Sequence, residues 1–105
     1  MAVHNYDKMV RDKIPEIIIS GGSTPVTDTL TKAEALDYLA KKLAEEAGEY
    51  LESREMEELA DVIEVVRGIL FHSGHTWDEL ETIRRKKADE RGAFEKGIRL
   101  VCVED

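Results

Sequence analysis

Residues 56–71 limit the fold more than any other stretch of this chain. Leu59, Ala60, Val62, Ile63, Val65, Val66, Ile69, Leu70 and Phe71 cover most of the circumference of one helix. A helix that is apolar nearly all round cannot lie on a surface with one wet face. It has to be central, buried on more than one side, by its own chain or by a second subunit. Asp61 and Glu64 interrupt that apolar surface. A buried carboxylate needs a partner, so these two positions ask for a cation. Glu64 either joins a metal site with Asp61 or pairs with Arg67, one turn beyond it.

The remaining segments read as helices around this one. Thr31 with Glu34 is a capping box, and Leu36, Leu39, Leu43, Ala47 and Tyr50 then recur at helical spacing to about residue 52. Ser53 is expected to cap the following helix, whose apolar side begins at Met56. That helix ends at His72-Ser73-Gly74-His75, where the histidines read as end-of-helix residues rather than catalysts. Thr76 with Glu79 is a second capping box, so a third long helix is expected over about 77–91, closed by Gly92. Trp77 reads as an apolar anchor of that helix, with base stacking as the alternative. A short helix is expected over about 12–20, with Pro15 in its first turn and Gly21-Gly22 stopping it. Residues 1–10 look irregular. Residues 24–29 and 98–103 are rich in β-branched types and are expected to pair as a small β element. Cys102 then falls in a half-buried strand. The expected architecture is one mainly α domain over residues 1–105: three long helices, a short N-terminal helix and a small β element.

Length and charge narrow the function. A chain of 105 residues buries a modest core, so completion by a homodimer or tetramer is expected. The formal net charge of -8 argues against nucleic-acid polymers and anionic membranes as partners. One cysteine permits no intrachain disulfide and no cysteine-rich zinc cluster. With no signal peptide and no bilayer-length apolar run, a cytoplasmic location is the default expectation.

Chemistry concentrates in two carboxylate pairs. Glu46 and Glu49 are three apart in one helix, and Glu58 and Asp61 are three apart in the next. Each pair therefore shares a helix face. If the two helices pack antiparallel, all four carboxylates enter one cleft and repel unless something positive lies between them. An all-oxygen set suits a hard divalent cation, Mg2+ with Mn2+ as the alternative. The Glu-x-x-His pattern of di-iron bundles is absent. Taken alone, a Glu-x-x-Glu pair reads as a solvated helix face; the second pair, set in an apolar helix, turns the reading to metal. Glu45 and Glu57 each precede a pair member and read as solvent-facing or as neighbours behind the ligands. Basic residues gather at the end of the third long helix: Arg84, Arg85, Lys86, Lys87 and Arg91. Lys87 and Arg91 share a face and suit phosphate, or simply complement the helix dipole. Lys42, one turn before Glu46, is either a local salt bridge or a phosphate contact. Tyr6 and Phe94 flank irregular segments where either can stack on a base. No phosphate-binding glycine loop and no nucleophile elbow is present.

Three stretches together resemble the MazG-like superfamily of all-α nucleotide pyrophosphohydrolases. They are Lys42-Leu-Ala-Glu45-Glu46-Ala-Gly-Glu49, Glu57-Glu58-Leu-Ala-Asp61 and Lys87-Ala-Asp-Glu-Arg91. Met9-Val-Arg-Asp-Lys-Ile-Pro-Glu16 and Arg91-Gly-Ala-Phe-Glu-Lys-Gly-Ile98 are similar to its short, phosphoribosyl-ATP pyrophosphohydrolase-like members. The resemblance implies Mg2+ on Glu46, Glu49, Glu58 and Asp61, and phosphate contacts from Lys42, Lys87 and Arg91. It implies catalytic roles for Glu46 and Glu49, and an oligomer whose helices surround each site. The implied reaction is hydrolysis of a nucleoside triphosphate to the monophosphate and pyrophosphate, a house-cleaning of non-standard nucleotides. Two alternatives stand beside it: hydrolysis of phosphoribosyl-ATP, and a non-catalytic helical module that binds metal or nucleotide. The resemblance gives Arg11 and Lys13 no role; phosphate contact and docking of the N-terminal helix are equal readings of the 11–13 stretch. Eight residues separate Glu49 from Glu58, so the helical hairpin must turn tightly.

Overall fold

The computed structural model describes residues 2–105. Four helices follow in order: α1 (Ile14–Ser20), α2 (Lys32–Ser53), α3 (Met56–Ser73) and α4 (Trp77–Arg91). The protein is mainly α, as the apolar periodicities require. It divides into two compact units, one ending at Gly74 and one running from His75 to Asp105.

The first unit is organised by the α2–α3 hairpin. Thr31 caps α2: its hydroxyl accepts from the Glu34 N–H at 3.2 Å, and its own N–H donates to Glu34 Oε1 at 2.9 Å. Both expected halves of that capping box are therefore formed. Replacing Thr31 by alanine removes a cap and should cost about 1 kcal/mol, read as a lower urea midpoint with an unchanged slope.

Two residues, Arg54 and Glu55, join α2 to α3. Arg54 closes α2 in the left-handed region at φ 59°, with its N–H donating to Tyr50 O at 2.8 Å. Its Nε donates to Leu51 O at 2.7 Å, which helps a non-glycine residue hold this conformation. Ser53 is not the cap of α3. It is the last residue of α2, and Glu55 occupies the cap position without a side-chain cap bond. The turn is too short for Ser53 to serve α3; its hydroxyl accepts from the Glu55 N–H at 3.2 Å instead.

The helices of the hairpin run antiparallel in a register that the contacts define. Leu39 faces Gly68: a Cβ added at Gly68 would lie 3.3 Å from Leu39 Cδ1. Glycine thus allows the close approach at this level. Ala35, Leu39 and Val65 are the buried apolar residues of the described chain. The segment expected to be buried on more than one face is not so covered here. Leu59 and Ile63 on α3 are 39% and 47% exposed, and Phe71 is more exposed still.

The short N-terminal helix is α1, with Pro15 in its first turn and Gly21 as its C-cap. Before it, residues 2–10 are irregular. In the second unit, Thr76 caps α4 through the expected box with Glu79, and Gly92 ends it. His75 Nδ1 lies 2.8 Å from Glu79 Oε2. Trp77 occupies the first turn of α4 and is partly exposed, and residues 92–105 are irregular.

The expected small β element is not formed: there is no strand among the described residues, including 24–29 and 98–103. β-Branched side chains favour a strand only when a neighbouring ladder satisfies the backbone, and Val26, Val101 and Val103 are exposed instead. Cys102 is accordingly an exposed residue of irregular chain, not a half-buried strand residue.

Candidate metal centre

The carboxylate cluster sits two helical turns from the Leu39–Gly68 contact, toward the hairpin turn. Glu46 is seven residues after Leu39, and Asp61 is seven before Gly68. An antiparallel pair with a common register must bring these two positions face to face. They do meet: one carboxylate oxygen from each of Glu46, Glu58 and Asp61 lies within 4.8 Å of the others. Glu46 is the most enclosed at 8% exposure, while Glu58 and Asp61 are half-buried. Glu49 is exposed and stands outside this set of three, close enough for its charge to bear on Glu58. Three of the four expected ligands converge, and the fourth flanks them. Glu64 is exposed and is not a member.

Two cations reach this cluster. Arg11 Nη2 donates to Asp61 Oδ1 at 2.7 Å, across 50 residues of sequence. Lys42 Nζ lies 3.7 Å from Glu46 Oε1, one turn away on α2. The sequence leaves Arg11 between phosphate contact and docking of the N-terminal helix; nothing local in it predicts a partner on α3. Four carboxylates against two cations leave a formal charge of two negative units when all are ionised. Glu58 carries the strain of that imbalance. Its pKa is raised above the usual 4.5, first by partial burial, then by the charge of Glu49 and a hydrogen bond with it, and then by Asp61 and Glu46.

The residues present fit a hard divalent ion. The donor set is all oxygen, three donors already converge, and the local charge deficit equals that of one such ion. Lys87 and Arg91 lie on α4 in the second unit, one turn apart and exposed. Among the described residues neither forms an ion pair, whereas Arg84 and Arg85 are both engaged by Glu81.

No family model, no curated protein and no solved structure matches this chain. The site therefore rests on its own chemistry. That chemistry gives a signed prediction for Glu58. A carboxyl with a raised folded-state pKa favours folding while protonated. It opposes folding as pH climbs from its ordinary value through the raised one, and the penalty is constant above that. Glu58→Gln mimics the protonated form and removes the penalty. In EDTA, the variant should match the wild type near pH 4 and melt above it at about pH 7.5. The lowered pKa values of Glu34, Glu79 and Glu81 are common to both proteins and cancel in the difference. A difference that stays flat with pH would show that Glu58 does not feel its neighbours.

Proposed function

We propose that this protein is a Mg2+-dependent nucleoside triphosphate pyrophosphohydrolase, with Mn2+ as an alternative ion. The convergence of Glu46, Glu58 and Asp61 within 4.8 Å of one another carries this reading. The order of the Glu-x-x-Glu and Glu-x-x-Asp pairs, and the resemblance they bear to MazG-like enzymes, supports it.

Glu46, Glu58 and Asp61 would hold the ion. When bound, it supplies a Lewis acid that draws charge from the phosphates. The chain's own residues do the rest. Glu49 takes a proton from the attacking water. The water oxygen bonds to one of the two phosphorus atoms of the α–β bridge, the bridging P–O bond breaks, and the products are the monophosphate and pyrophosphate. Lys42 meets the negative charge of the departing group, a role that the resemblance also gives to Lys87 and Arg91. Arg11 orients Asp61 through its 2.7 Å bond to Oδ1. The apolar surface left exposed on α3 supports self-association as a homodimer or tetramer. No helix among the described residues is long and apolar enough to cross a membrane.

The deciding experiment incubates the purified chain with a panel of nucleoside triphosphates and phosphoribosyl-ATP in Mg2+, and then in EDTA. Pyrophosphate release that needs the ion is expected, with non-standard nucleotides turned over faster than phosphoribosyl-ATP. No release from any member of the panel sinks the enzyme and leaves a binding module. Melting with and without Mg2+ then reports binding alone, because an ion held by the folded state raises the melting point.

A further inference from the structure

Within the first unit, a cleft of about 230 Å3 lies between the N-terminal segment and α2. Its walls carry Lys8 from the segment and Lys41 and Lys42 from α2. In a chain of net charge -8, three lysines along one small cavity against two carboxylates reverse the prevailing sign. Aromatic faces hold two of them: Lys8 Nζ is 5.4 Å from the Tyr6 ring centre, and Lys41 Nζ is 5.9 Å from that of Tyr38. The third, Lys42, is the lysine beside Glu46, so the cleft adjoins the carboxylate cluster.

The segment is tied down on both sides of Lys8. Tyr38 Oη donates to Asp7 Oδ1 at 2.6 Å, and Arg11 reaches Asp61. Asp7 and Glu45 also line the cleft, and Asp7 accepts from the Tyr38 hydroxyl. Three lysines against two carboxylates leave the lining one unit positive. Volume sets the size of the guest. Sites that enclose whole drug-sized molecules start at about 300 Å3, so this one suits a small polyanion better than a base and sugar together.

We propose that this cleft is a polyphosphate subsite. It takes the pyrophosphate end of the nucleotide on Lys8, Lys41 and Lys42, while the α-phosphate meets the carboxylate cluster. The identity of that ligand rests on the pyrophosphohydrolase reading; the affinity for a polyanion does not.

The test titrates inorganic pyrophosphate into the full chain by calorimetry in EDTA. Saturable binding is expected. Lys8→Gln and Lys41→Gln should each weaken it about tenfold, as the loss of one charge-assisted hydrogen bond does. Lys41→Arg should retain most of it. Lys32→Gln, at the first residue of α2 and outside the cleft lining, should change nothing. Lys8 and Lys41 are exposed, so neither variant threatens folding. Absence of binding, or an equal loss in Lys32→Gln, overturns the subsite. The lysine-specific pattern in a protein that turns over no nucleotide keeps the subsite and removes the enzyme. Turnover that ignores both lysine variants keeps the enzyme and removes the subsite.

Discussion

Asp61→Asn is expected to slow Mg2+-dependent pyrophosphate release by a factor of about a hundred to ten thousand. A bound ion contributes several kcal/mol to such a reaction, and each 1.4 kcal/mol or so is tenfold in rate. Losing one of three converging carboxylates forfeits much of that. Folding should survive. The Arg11–Asp61 pair is exposed, at 56% and 40% for its two side chains, and an exposed pair stabilises by about 1 kcal/mol at most. Two companions sharpen the reading. Glu64→Gln, one turn along the same helix but outside the cluster, should leave the rate unchanged. Glu49→Gln should depress kcat while keeping the Mg2+-induced rise in melting point, because Glu49 flanks the three ligands. Wild-type turnover in Asp61→Asn would mean that the cluster does not hold the working ion.

Leu39→Ala should come close to unfolding the chain. Truncating a buried leucine costs about 2–5 kcal/mol, against a total of about 5–15 for a typical domain. Here the loss falls on a core with few members, since Ala35, Leu39 and Val65 are the buried apolar residues. The partner position offers a check. A Cβ at Gly68 would press on Leu39 Cδ1 at 3.3 Å, but it would enter the space that Leu39→Ala vacates. The double variant Leu39→Ala/Gly68→Ala should therefore be more stable than the two single losses predict, a coupling that urea denaturation resolves. Strict additivity would show that the two helices do not meet at this level.

Much of this organisation is legible in the sequence because its causes are local. The Thr31 and Thr76 boxes require only a residue and its neighbour three along, and both form as read. The pairing of carboxylates follows from helical geometry, and three of the four meet. What could not be read depends on distant chain. Arg11 finds Asp61 and Asp7 finds Tyr38 across long stretches that no periodicity links. The β-branched residues of 24–29 and 98–103 carry strand propensity, but propensity alone makes no ladder. Ser53 has the chemistry of a cap, yet a two-residue connection leaves it inside the preceding helix.

That same connection makes the hairpin unforgiving of insertions. Each residue added to α3 ahead of Glu58 swings everything after it by about 100° around the helix axis, carrying the carboxylates away from Glu46. Seven residues added to each arm between the turn and the cluster would restore the facing, because two full turns nearly close the circle. Natural variation in the length of this hairpin should accordingly arrive in paired blocks of about seven, not in single steps.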